Sequence, residues 1–394
     1  ILIAAAAKQW AVANDSCKAD KHHVVNQQTG ERIFFGDLVE AAAQQLVPEN
    51  PTLKNRKDFT YIGKELPSID IDDFTSGKAI YGMDVKIPGM KYAAIARCPV
   101  TFGTVRSFDA TDTEKFPGVS KVLEMQRVEK PFGNLGGIAV VADNTWSALK
   151  GKEALKIEWD FGDNGSYDTE AYMQILKENV TKKGKLIQEK GDIERAFQQA
   201  DKIREAIYEL PHLVHAPMEA PNATARFENG TCEIWAPVQA PQVTRKEVSD
   251  LLEIDLENVT IHVTLLGGGF GRKSKPDFVL EAAWLAKETG SPVQVIWSRE
   301  DDIRHSYYHA ISAQYLRGGL TRDGNVNAWL HRTAYPSITS TFMPGVVHGA
   351  GFEFQQGMTN LPYEIENQRF ENGEAPAHVR IGWLRSVYNI IHGF

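Results

Sequence analysis

The chain has 394 residues, 42% of them hydrophobic and 24% charged, which is typical of a globular protein with two or three domains. Its formal net charge of −8 argues against nucleic acid as a partner, because binding along a phosphate backbone needs a basic surface. Three scattered cysteines exclude a zinc ribbon, and iron–sulfur clusters take about four cysteines each. No apolar run reaches the roughly eighteen residues of a transmembrane helix, so none is predicted in this chain.

Residues 1–62 form a first predicted region. A helical pattern over 1–12 is followed by a hairpin around Thr29-Gly30 and a second helix over 38–46. The polar stretch 48–59 is predicted to be a linker.

The rest of the chain alternates strand and helix patterns, which predicts an α+β fold in two further regions, 63–160 and 161–394. Region 63–160 has no cluster of titratable residues and is interpreted as scaffold. A charged helical connector is expected at its end, over 160–190, and a loop-rich segment over 335–374. Strands are predicted at 81–85, 90–97, 119–124, 137–142, 156–159, 202–209, 223–227, 232–235, 293–298, 311–317 and 326–332, and helices at 145–155, 192–200 and 241–252.

The sequence LLGGGFGRK, residues 265–273, is the most distinctive motif. It follows an alternating strand pattern and precedes a helix that is predicted to start near Pro276 and to end at Gly290. Glycines at such a point permit positive φ angles and let a ligand approach backbone N–H groups closely. Arg272 and Lys273 would add positive charge for an anionic ligand. A glycine-rich turn without a ligand is the alternative.

The nucleotide-binding motifs that use glycine loops do not fit. Counted from Gly267, the third glycine of G-x-G-x-x-G is replaced by Arg272, and no acidic residue follows about twenty positions on. No Walker A motif can be written. Binding of NAD or ATP through these motifs is therefore not favoured.

Two other groups of titratable residues carry weaker signals. His212, His215 and Glu219 have the spacing of a metal triad, but the prolines among them disfavour a helix that would bring the side chains together. Asp301 and Asp302, with His305 nearby, could act in acid–base chemistry. The adjacent arginines favour a local ion-pair network instead.

Several motifs in order resemble the large subunit of the xanthine dehydrogenase and aldehyde oxidase family of molybdenum hydroxylases. They are HAPME at 215–219, WAPVQAPQ at 235–242, HVTLLGGGFGRK at 262–273 and GWLRS at 382–386. Within that family, the isoquinoline 1-oxidoreductase β-subunits form the most similar branch. The stretch 77–100 with 136–151 resembles the hammerhead α/β domain of the family.

The resemblance implies three regions. Residues 1–62 would be the remnant of an upstream cofactor-binding half-domain, 63–160 the hammerhead domain, and 161–394 an incomplete first molybdopterin-binding domain. The implied cofactor is molybdenum–molybdopterin in its cytosine dinucleotide form. Its metal would be held by the pterin dithiolene and not by protein ligands.

The resemblance also assigns roles to particular residues. Gln239 matches a glutamine that hydrogen-bonds an oxo ligand, and Arg385 matches an arginine that orients substrate or stabilises negative charge. The loop beside the cofactor corresponds to Gly268, Gly269, Phe270, Gly271 and Arg272.

The implied reaction is hydroxylation of a small molecule with water as the oxygen source. Electrons would leave through 2Fe-2S clusters on a separate small two-cluster subunit, because this chain lacks the cysteines to hold them. A cytochrome or another acceptor would follow. The resemblance favours the periplasm, since many proteins of this branch look exported, but the chain itself leaves the compartment open.

Two departures from the family pattern limit the implied function. Ser274 stands where purine-oxidising relatives have glutamate, so an aldehyde or an N-heteroaromatic compound fits better than a purine. The G-x-G-E motif that carries the catalytic glutamate is absent, as is an upstream M-G-Q-G motif. We therefore expect a fragment that by itself binds cofactor weakly, if at all, and does not turn over. A non-catalytic scaffold of the same fold and a flavin or nicotinamide dehydrogenase are the alternatives.

Overall fold

The computed structural model describes residues 1–51 and 53–393; Thr52, which falls in the predicted linker, and Phe394 lie outside the described residues. The chain divides into two compact units, Ile1–Thr75 and Ser76–Phe394. The α-helices are α1 Leu2–Trp10, α2 Val39–Ala43, α3 Ile71–Ser76, α4 Thr111–Glu114, α5 Thr145–Glu153, α6 Thr169–Thr181, α7 Ile193–Gln198, α8 Pro241–Leu252, α9 Asp277–Thr289, α10 Arg299–Arg304, α11 Gly351–Phe354 and α12 Asn389–His392. The strands are β1 Cys17–Asp20, β2 His23–Asn26, β3 Arg32–Phe34, β4 Lys91–Ala96, β5 Thr104–Asp109, β6 Val119–Met125, β7 Gly137–Ala142, β8 Lys156–Asp160, β9 Lys185–Lys190, β10 Lys202–Leu210, β11 Asn222–Glu228, β12 Thr231–Ala236, β13 Val259–Val263, β14 Val293–Ile296, β15 Ser312–Leu320, β16 Val326–Ala334 and β17 Asn367–Asn372.

The first unit packs α1 against a three-stranded antiparallel sheet of order β1-β2-β3. The alanines of α1 are buried against Val24 and Leu38. The predicted first helix and the hairpin at Thr29-Gly30 are confirmed. The second predicted helix is shorter than 38–46, because Leu46 is 94% exposed and gives a last turn nothing to pack against.

Two larger sheets organise the second unit. The seven-stranded sheet has the order β13-β12-β11-β14-β4-β7-β6, and the five-stranded sheet has the order β10-β15-β16-β17-β9. The seven-stranded sheet contains strands from both sides of residue 160, so it continues across the predicted domain boundary. The division into 1–62, 63–160 and 161–394 stays a prediction.

One hydrophobic core of the second unit lies on one face of the seven-stranded sheet, where helix α9 packs against β11 and β14. Further buried clusters lie against the five-stranded sheet. Helix α9 is apolar around most of its circumference, as expected for a helix covered on several sides. Strand β7 is buried at every position, which confirms the prediction of a buried strand from its continuous apolar run. This packing fixes the segment that leads into α9, which is the glycine motif.

Some predicted elements are wrong or missing. The strand predicted at 81–85 is a 3-10 turn, Gly82–Asp84, in which the Asp84 carboxylate accepts a hydrogen bond from the Tyr81 N–H. The charged connector contains α6 but also the unpredicted strand β9, whose polar, exposed residues carry no apolar alternation. Strands β5 and β17 were missed for the same reason, since polar side chains occupy most positions in both.

Most other predicted elements of the second unit are confirmed to within a few residues. The hairpin about Asp323-Gly324 joins β15 to β16, and α8 has the bounds predicted for it. The mixed α+β class is also as expected. Among the described residues, no helix is both long and apolar enough to cross a bilayer.

Candidate functional site

The candidate site lies where two parallel strands end. Strand β12 pairs in parallel with β13, and α8 makes the crossover between them. Gln239 follows β12, and the glycine loop, residues 267–271, follows β13. The carboxyl ends of neighbouring parallel strands are a common place for ligands, because the loops there converge.

The glycine loop needs glycine for conformation and for space. Gly268 and Gly271 have φ angles of 94° and 102°, and Phe270 between them has a φ of 51°. A Cβ on Gly269 would lie 2.6 Å from Gln239 Oε1, and one on Gly271 would lie 2.0 Å from the backbone oxygen of Trp383. A Cβ on Gly271 would push the Trp383 backbone away, and one on Gly269 would displace the Gln239 side chain, so both close approaches depend on glycine.

Gln239 is fixed to the loop through its backbone and its amide oxygen. Its N–H donates to the Lys273 carbonyl at 2.9 Å, and its Oε1 accepts a hydrogen bond from the Gly271 N–H at 3.1 Å. Its Nε2 donates no hydrogen bond to any residue that the structure describes. The arrangement leaves an oriented amide NH2 group available to a ligand acceptor.

Arg385 is held beside the same loop by its backbone. Its N–H donates to the Phe270 carbonyl at 2.8 Å, and the side chain is exposed. Within residues 1–51 and 53–393, its guanidinium forms no ion pair. Ser386 and Val387 have positive φ angles of 74° and 47°, a strained backbone of the kind found at functional sites.

The side chains of Arg272 and Lys273 are buried and face the protein interior. Arg272 forms two hydrogen bonds to the Asp277 carboxylate, at 2.9 and 3.0 Å, and lies over the Trp297 ring. Lys273 donates to Glu219 at 2.7 Å. The prediction that both residues present free positive charge is therefore wrong, because each cation is paired with a buried carboxylate. A contact of Arg272 with a cofactor stays a prediction and would use its backbone.

Glu219 fastens the start of the loop. Besides Lys273, its carboxylate accepts hydrogen bonds from the N–H groups of Gly267 at 2.9 Å and Met83 at 3.2 Å. Burial alone would raise the pKa of this carboxyl, but the bonds from Lys273 and Gly267 hold it below its ordinary value. No sequence pattern indicated this pair, whose members lie 54 residues apart.

Lys275 is a buried amine that pairs with no carboxylate among the described residues. Asp277 is shared by Arg272 and Arg380, and the Lys275 ammonium lies 3.1 Å from the centre of the Trp383 ring. Burial, with the nearby Arg272 charge, lowers the pKa of Lys275 to about 6. Trp383 therefore packs between this amine and the glycine loop, a role that no motif indicated.

The possible metal triad does not converge. His212 contacts the Tyr167 hydroxyl at 3.0 Å, His215 contacts the Trp383 carbonyl at 3.0 Å, and Glu219 faces Lys273. Burial lowers the pKa of both histidines to about 4. In the part of the chain that the structure describes, no group of three or more His, Cys, Asp or Glu side chains is arranged to hold a metal ion.

The second titratable group forms the predicted ion-pair network. Asp301 pairs with Lys152 at 2.8 Å and Arg97 at 3.8 Å, and Asp302 pairs with Arg299 at 2.5 Å. His305 is buried beside this network, and burial lowers its pKa to about 3. These ion pairs connect helix α10 to Arg97 and Lys152, and they leave neither aspartate free to act as an acid or a base.

The groups left free at the site are donors: backbone N–H groups of a glycine loop, the Gln239 amide and the Arg385 guanidinium. Such a set can bind an electron-rich, anionic or oxo-bearing group that brings its own reactive centre. A pterin cofactor that carries its metal on its own sulfur ligands fits this set, because the protein then supplies only shape and hydrogen bonds.

Comparison with known proteins shows to which protein family the chain belongs. The family model described as the molybdopterin cofactor-binding domain matches residues 176–374, half of the chain. The chain therefore belongs to the molybdopterin-binding subunits of the xanthine dehydrogenase and aldehyde oxidase family. Gln239 and the glycine loop lie inside the matched range, and Arg385 lies just beyond it.

Curated relatives agree with this assignment. The chain is 26% identical to the isoquinoline 1-oxidoreductase β-subunit of Brevundimonas diminuta, over 87% of this chain and 48% of that protein. It is 29% identical to a membrane-bound aldehyde dehydrogenase [pyrroloquinoline-quinone] of Gluconacetobacter polyoxogenes, with 91% and 48% covered. It is 25% identical to a nicotinate dehydrogenase chain of Pseudomonas putida, with 93% and 31% covered. The chain thus spans about half or less of the length of these curated relatives.

Solved structures show the same fold. Quinoline 2-oxidoreductase from Pseudomonas putida has a TM-score of 0.63 at 19% identity, over 83% of this chain and 46% of that one. Aldehyde oxidoreductase from Desulfovibrio gigas has a TM-score of 0.65 at 16% identity, over 83% and 40%. The fold is that of molybdenum hydroxylase large subunits.

Proposed function

We propose that this chain forms one wall of the molybdenum cofactor pocket in an enzyme that hydroxylates an aldehyde or an N-heteroaromatic compound with water as the oxygen source. The observation that carries the proposal is the Gln239 amide. Its oxygen accepts a hydrogen bond from the Gly271 N–H, which leaves its NH2 group without a partner among the described residues, beside a loop in which Gly269 and Gly271 leave no room for a Cβ.

Three features of the chain have defined parts in this proposal. The Gln239 NH2 group donates a hydrogen bond to the cofactor, and the backbone of residues 268–271 lies against it. The Arg385 guanidinium, free of ion pairs with the described residues, stabilises negative charge that develops on the substrate. When bound, the cofactor supplies the metal centre that takes up the electrons of the oxidation.

The family membership supports the finer expectations. We propose the cytosine dinucleotide form of the cofactor. We also propose a small partner subunit with two 2Fe-2S clusters, since the three cysteines of this chain are buried and far apart in the sequence. Similar proteins are named isoquinoline 1-oxidoreductase, nicotinate dehydrogenase and quinoline 2-oxidoreductase, which favours an N-heteroaromatic substrate, and others are named for aldehydes. One relative is named for pyrroloquinoline-quinone. Analysis of the bound cofactor distinguishes a quinone from a molybdenum–pterin.

The proposal is tested by cofactor retention in the native protein, purified with its associated subunits. Gln239→Leu keeps most of the side-chain volume but loses the amide, and we expect the bound molybdenum and pterin to fall by about 10-fold or more. Gln199→Leu, in an exposed turn outside the site, is the matched control and should retain both.

Arg385→Met adds a kinetic test. Because this side chain is exposed and unpaired, we expect unchanged stability and cofactor content, but a kcat lower by about 100-fold, as for other residues that stabilise developing charge. Normal cofactor content with unchanged kcat in both variants would contradict the proposal. Native protein that holds the cofactor but oxidises no aldehyde or heterocycle would instead support the non-catalytic scaffold.

A further inference from the structure

Arg385 lies in a turn, residues 383–387, whose backbone is strained; we call it the Arg385 turn. Ser386 and Val387 have φ angles of 74° and 47°, and a positive φ is especially unfavourable for valine because its side chain branches at Cβ. Such a conformation persists only where the surrounding structure holds it. The Arg385 side chain is exposed and forms no ion pair with the described residues, so contacts to the backbone must hold the turn.

Two buried histidines contact the two ends of the Arg385 turn. His215 Nε2 lies 3.0 Å from the Trp383 carbonyl oxygen, and His309 Nε2 lies 3.2 Å from the Val387 carbonyl oxygen. Because a carbonyl oxygen can only accept a hydrogen bond, each contact requires a hydrogen on Nε2, and each imidazole is the donor. The bond from His309 thus reaches one of the two strained residues.

Each histidine uses only one of its ring nitrogens. His215 is 7% exposed and His309 is 2% exposed, and the Nδ1 atom of each is buried without a hydrogen-bond partner among the described residues. Burial lowers the pKa of His215 to about 4 and also lowers the pKa of His309, so both rings are neutral near pH 7. The bond from Nε2 to the Arg385 turn is therefore the polar contact that offsets the burial of each ring.

Backbone pairing fixes the segments that carry the two histidines. The His309 N–H donates to the Leu213 carbonyl at 2.9 Å, and the Gly382 N–H donates to the Tyr308 carbonyl at 2.8 Å. The two histidine segments and the segment that enters the Arg385 turn therefore lie side by side. On its other side the turn is bonded to the glycine loop through the Arg385 N–H.

We propose that His215 and His309 are positioning residues for Arg385, and that their Nε2–H groups hold the strained turn in the conformation that presents the guanidinium at the candidate site. The inference rests on the proposed function, which gives Arg385 its part in the reaction. It goes beyond that function because it assigns the placement of Arg385 to two residues that act only through the backbone. A small displacement of a group that stabilises developing charge lowers kcat without removing the cofactor.

Replacements that differ in reach test the proposal in the native protein, purified with its associated subunits. In His309→Gln the amide nitrogen is as many bonds from Cα as Nε2 of histidine, so it can donate to Val387, whereas the shorter His309→Asn cannot. We expect kcat per bound molybdenum to fall by about 10-fold in His309→Asn and by less than about threefold in His309→Gln. If His309→Asn does not fold, His215→Asn and His215→Gln give the same comparison at the other end of the turn.

Hydrogen exchange measures the turn itself, independently of activity. Amide exchange in the peptide 383–388 should be at least about 10-fold faster in His309→Asn than in the native protein, because the N–H groups of Arg385 and Val387 lose protection as the turn loosens. The control is His331→Asn. His331 is also buried but contacts the Gln314 side chain at 2.8 Å, so its replacement should change neither kcat nor exchange in the turn.

A double variant separates positioning from a general loss of structure. If His309 acts through Arg385, adding His309→Asn to Arg385→Met should lower kcat by no more than about a further twofold. Equal losses in the Asn and Gln variants, a full loss that persists without Arg385, or unchanged exchange in the turn would overturn the inference. An unchanged kcat in Arg385→Met would instead remove the proposed part of Arg385 in the reaction, and faster exchange in His309→Asn would still show that the histidine holds the turn.

Discussion

Lys273→Met tests the buried pair that holds the glycine loop. Lys273 is fully buried and Glu219 is 7% exposed, so the variant leaves a buried carboxylate without its cation. The carboxylate keeps the backbone N–H donors of Gly267 and Met83 and a hydrogen bond with the Asn222 side chain. Removing one member of a buried ion pair costs about 3–5 kcal/mol. We expect a loss of this size in the free energy of unfolding of the second unit at pH 7.

The loss should depend on pH in a defined direction. In the native protein the pKa of Glu219 is held below its ordinary value, so its contribution to stability is present at neutral pH and is lost as the pH falls through the folded pKa. Without Lys273, burial raises the pKa of Glu219, and the carboxyl can relieve the unpaired charge by binding a proton. The difference between native and variant should therefore be smaller at pH 4.5 than at pH 7.

Urea denaturation followed by tryptophan fluorescence at the two pH values measures this difference. The control is Lys246→Met, which breaks an exposed pair with Asp250 at 2.5 Å and should cost only about 0.3–0.5 kcal/mol. If Lys273→Met costs no more than this control, or if its cost does not change with pH, Glu219 and Lys273 do not fasten the loop as the structure indicates.

Three further predictions concern single features of the second unit. Gly271→Ala should destabilise the unit and reduce cofactor retention, because its Cβ would meet the Trp383 oxygen. The control, Gly290→Ala, places its Cβ in open space and should cost only about 1 kcal/mol for the positive φ angle. Differential scanning fluorimetry measures the stability of both variants, and pterin release measures their cofactor retention. In urea titrations, Lys275→Arg should lower the free energy of unfolding more than Lys275→Met does, since a permanent charge would lie beside two arginines that share one carboxylate. The reverse order would contradict a neutral Lys275 at pH 7. The pKa of buried His212 and His215 is about 4, against about 6.5 when unfolded, so the free energy of unfolding should fall as the pH is lowered from 6.5 to 4; a flat profile would show that they are not buried in neutral form.

Elements that carry a clear apolar period or a defined terminus were predictable from the sequence. Helix α8 begins at a proline and β7 is a continuous apolar run, and both were predicted because one local pattern decides each of them. The polar edge strand β9 gives no such pattern, since it is specified only by its pairing with β17. Pairing with a distant strand is a property of the whole chain and is not visible in a local window.

The candidate site was also only partly predictable from the sequence. Three glycines in a row indicated close backbone approach, and the φ angles of Gly268 and Gly271 agree. The direction of the side chains was not predictable: Arg272 and Lys273 looked like ligands for an anion, but their carboxylate partners make them interior residues. Trp383 was not singled out because its importance comes from packing alone.

Gln239, Arg385 and the glycine loop are proposed together to bind a molybdenum–pterin cofactor. Metal analysis and pterin fluorescence of the native protein, purified with its associated subunits, test this most directly. We predict about one molybdenum and one pterin per chain, both lost in Gln239→Leu while the protein stays folded. Protein without molybdenum or pterin, or with flavin or nicotinamide absorbance in their place, would contradict it.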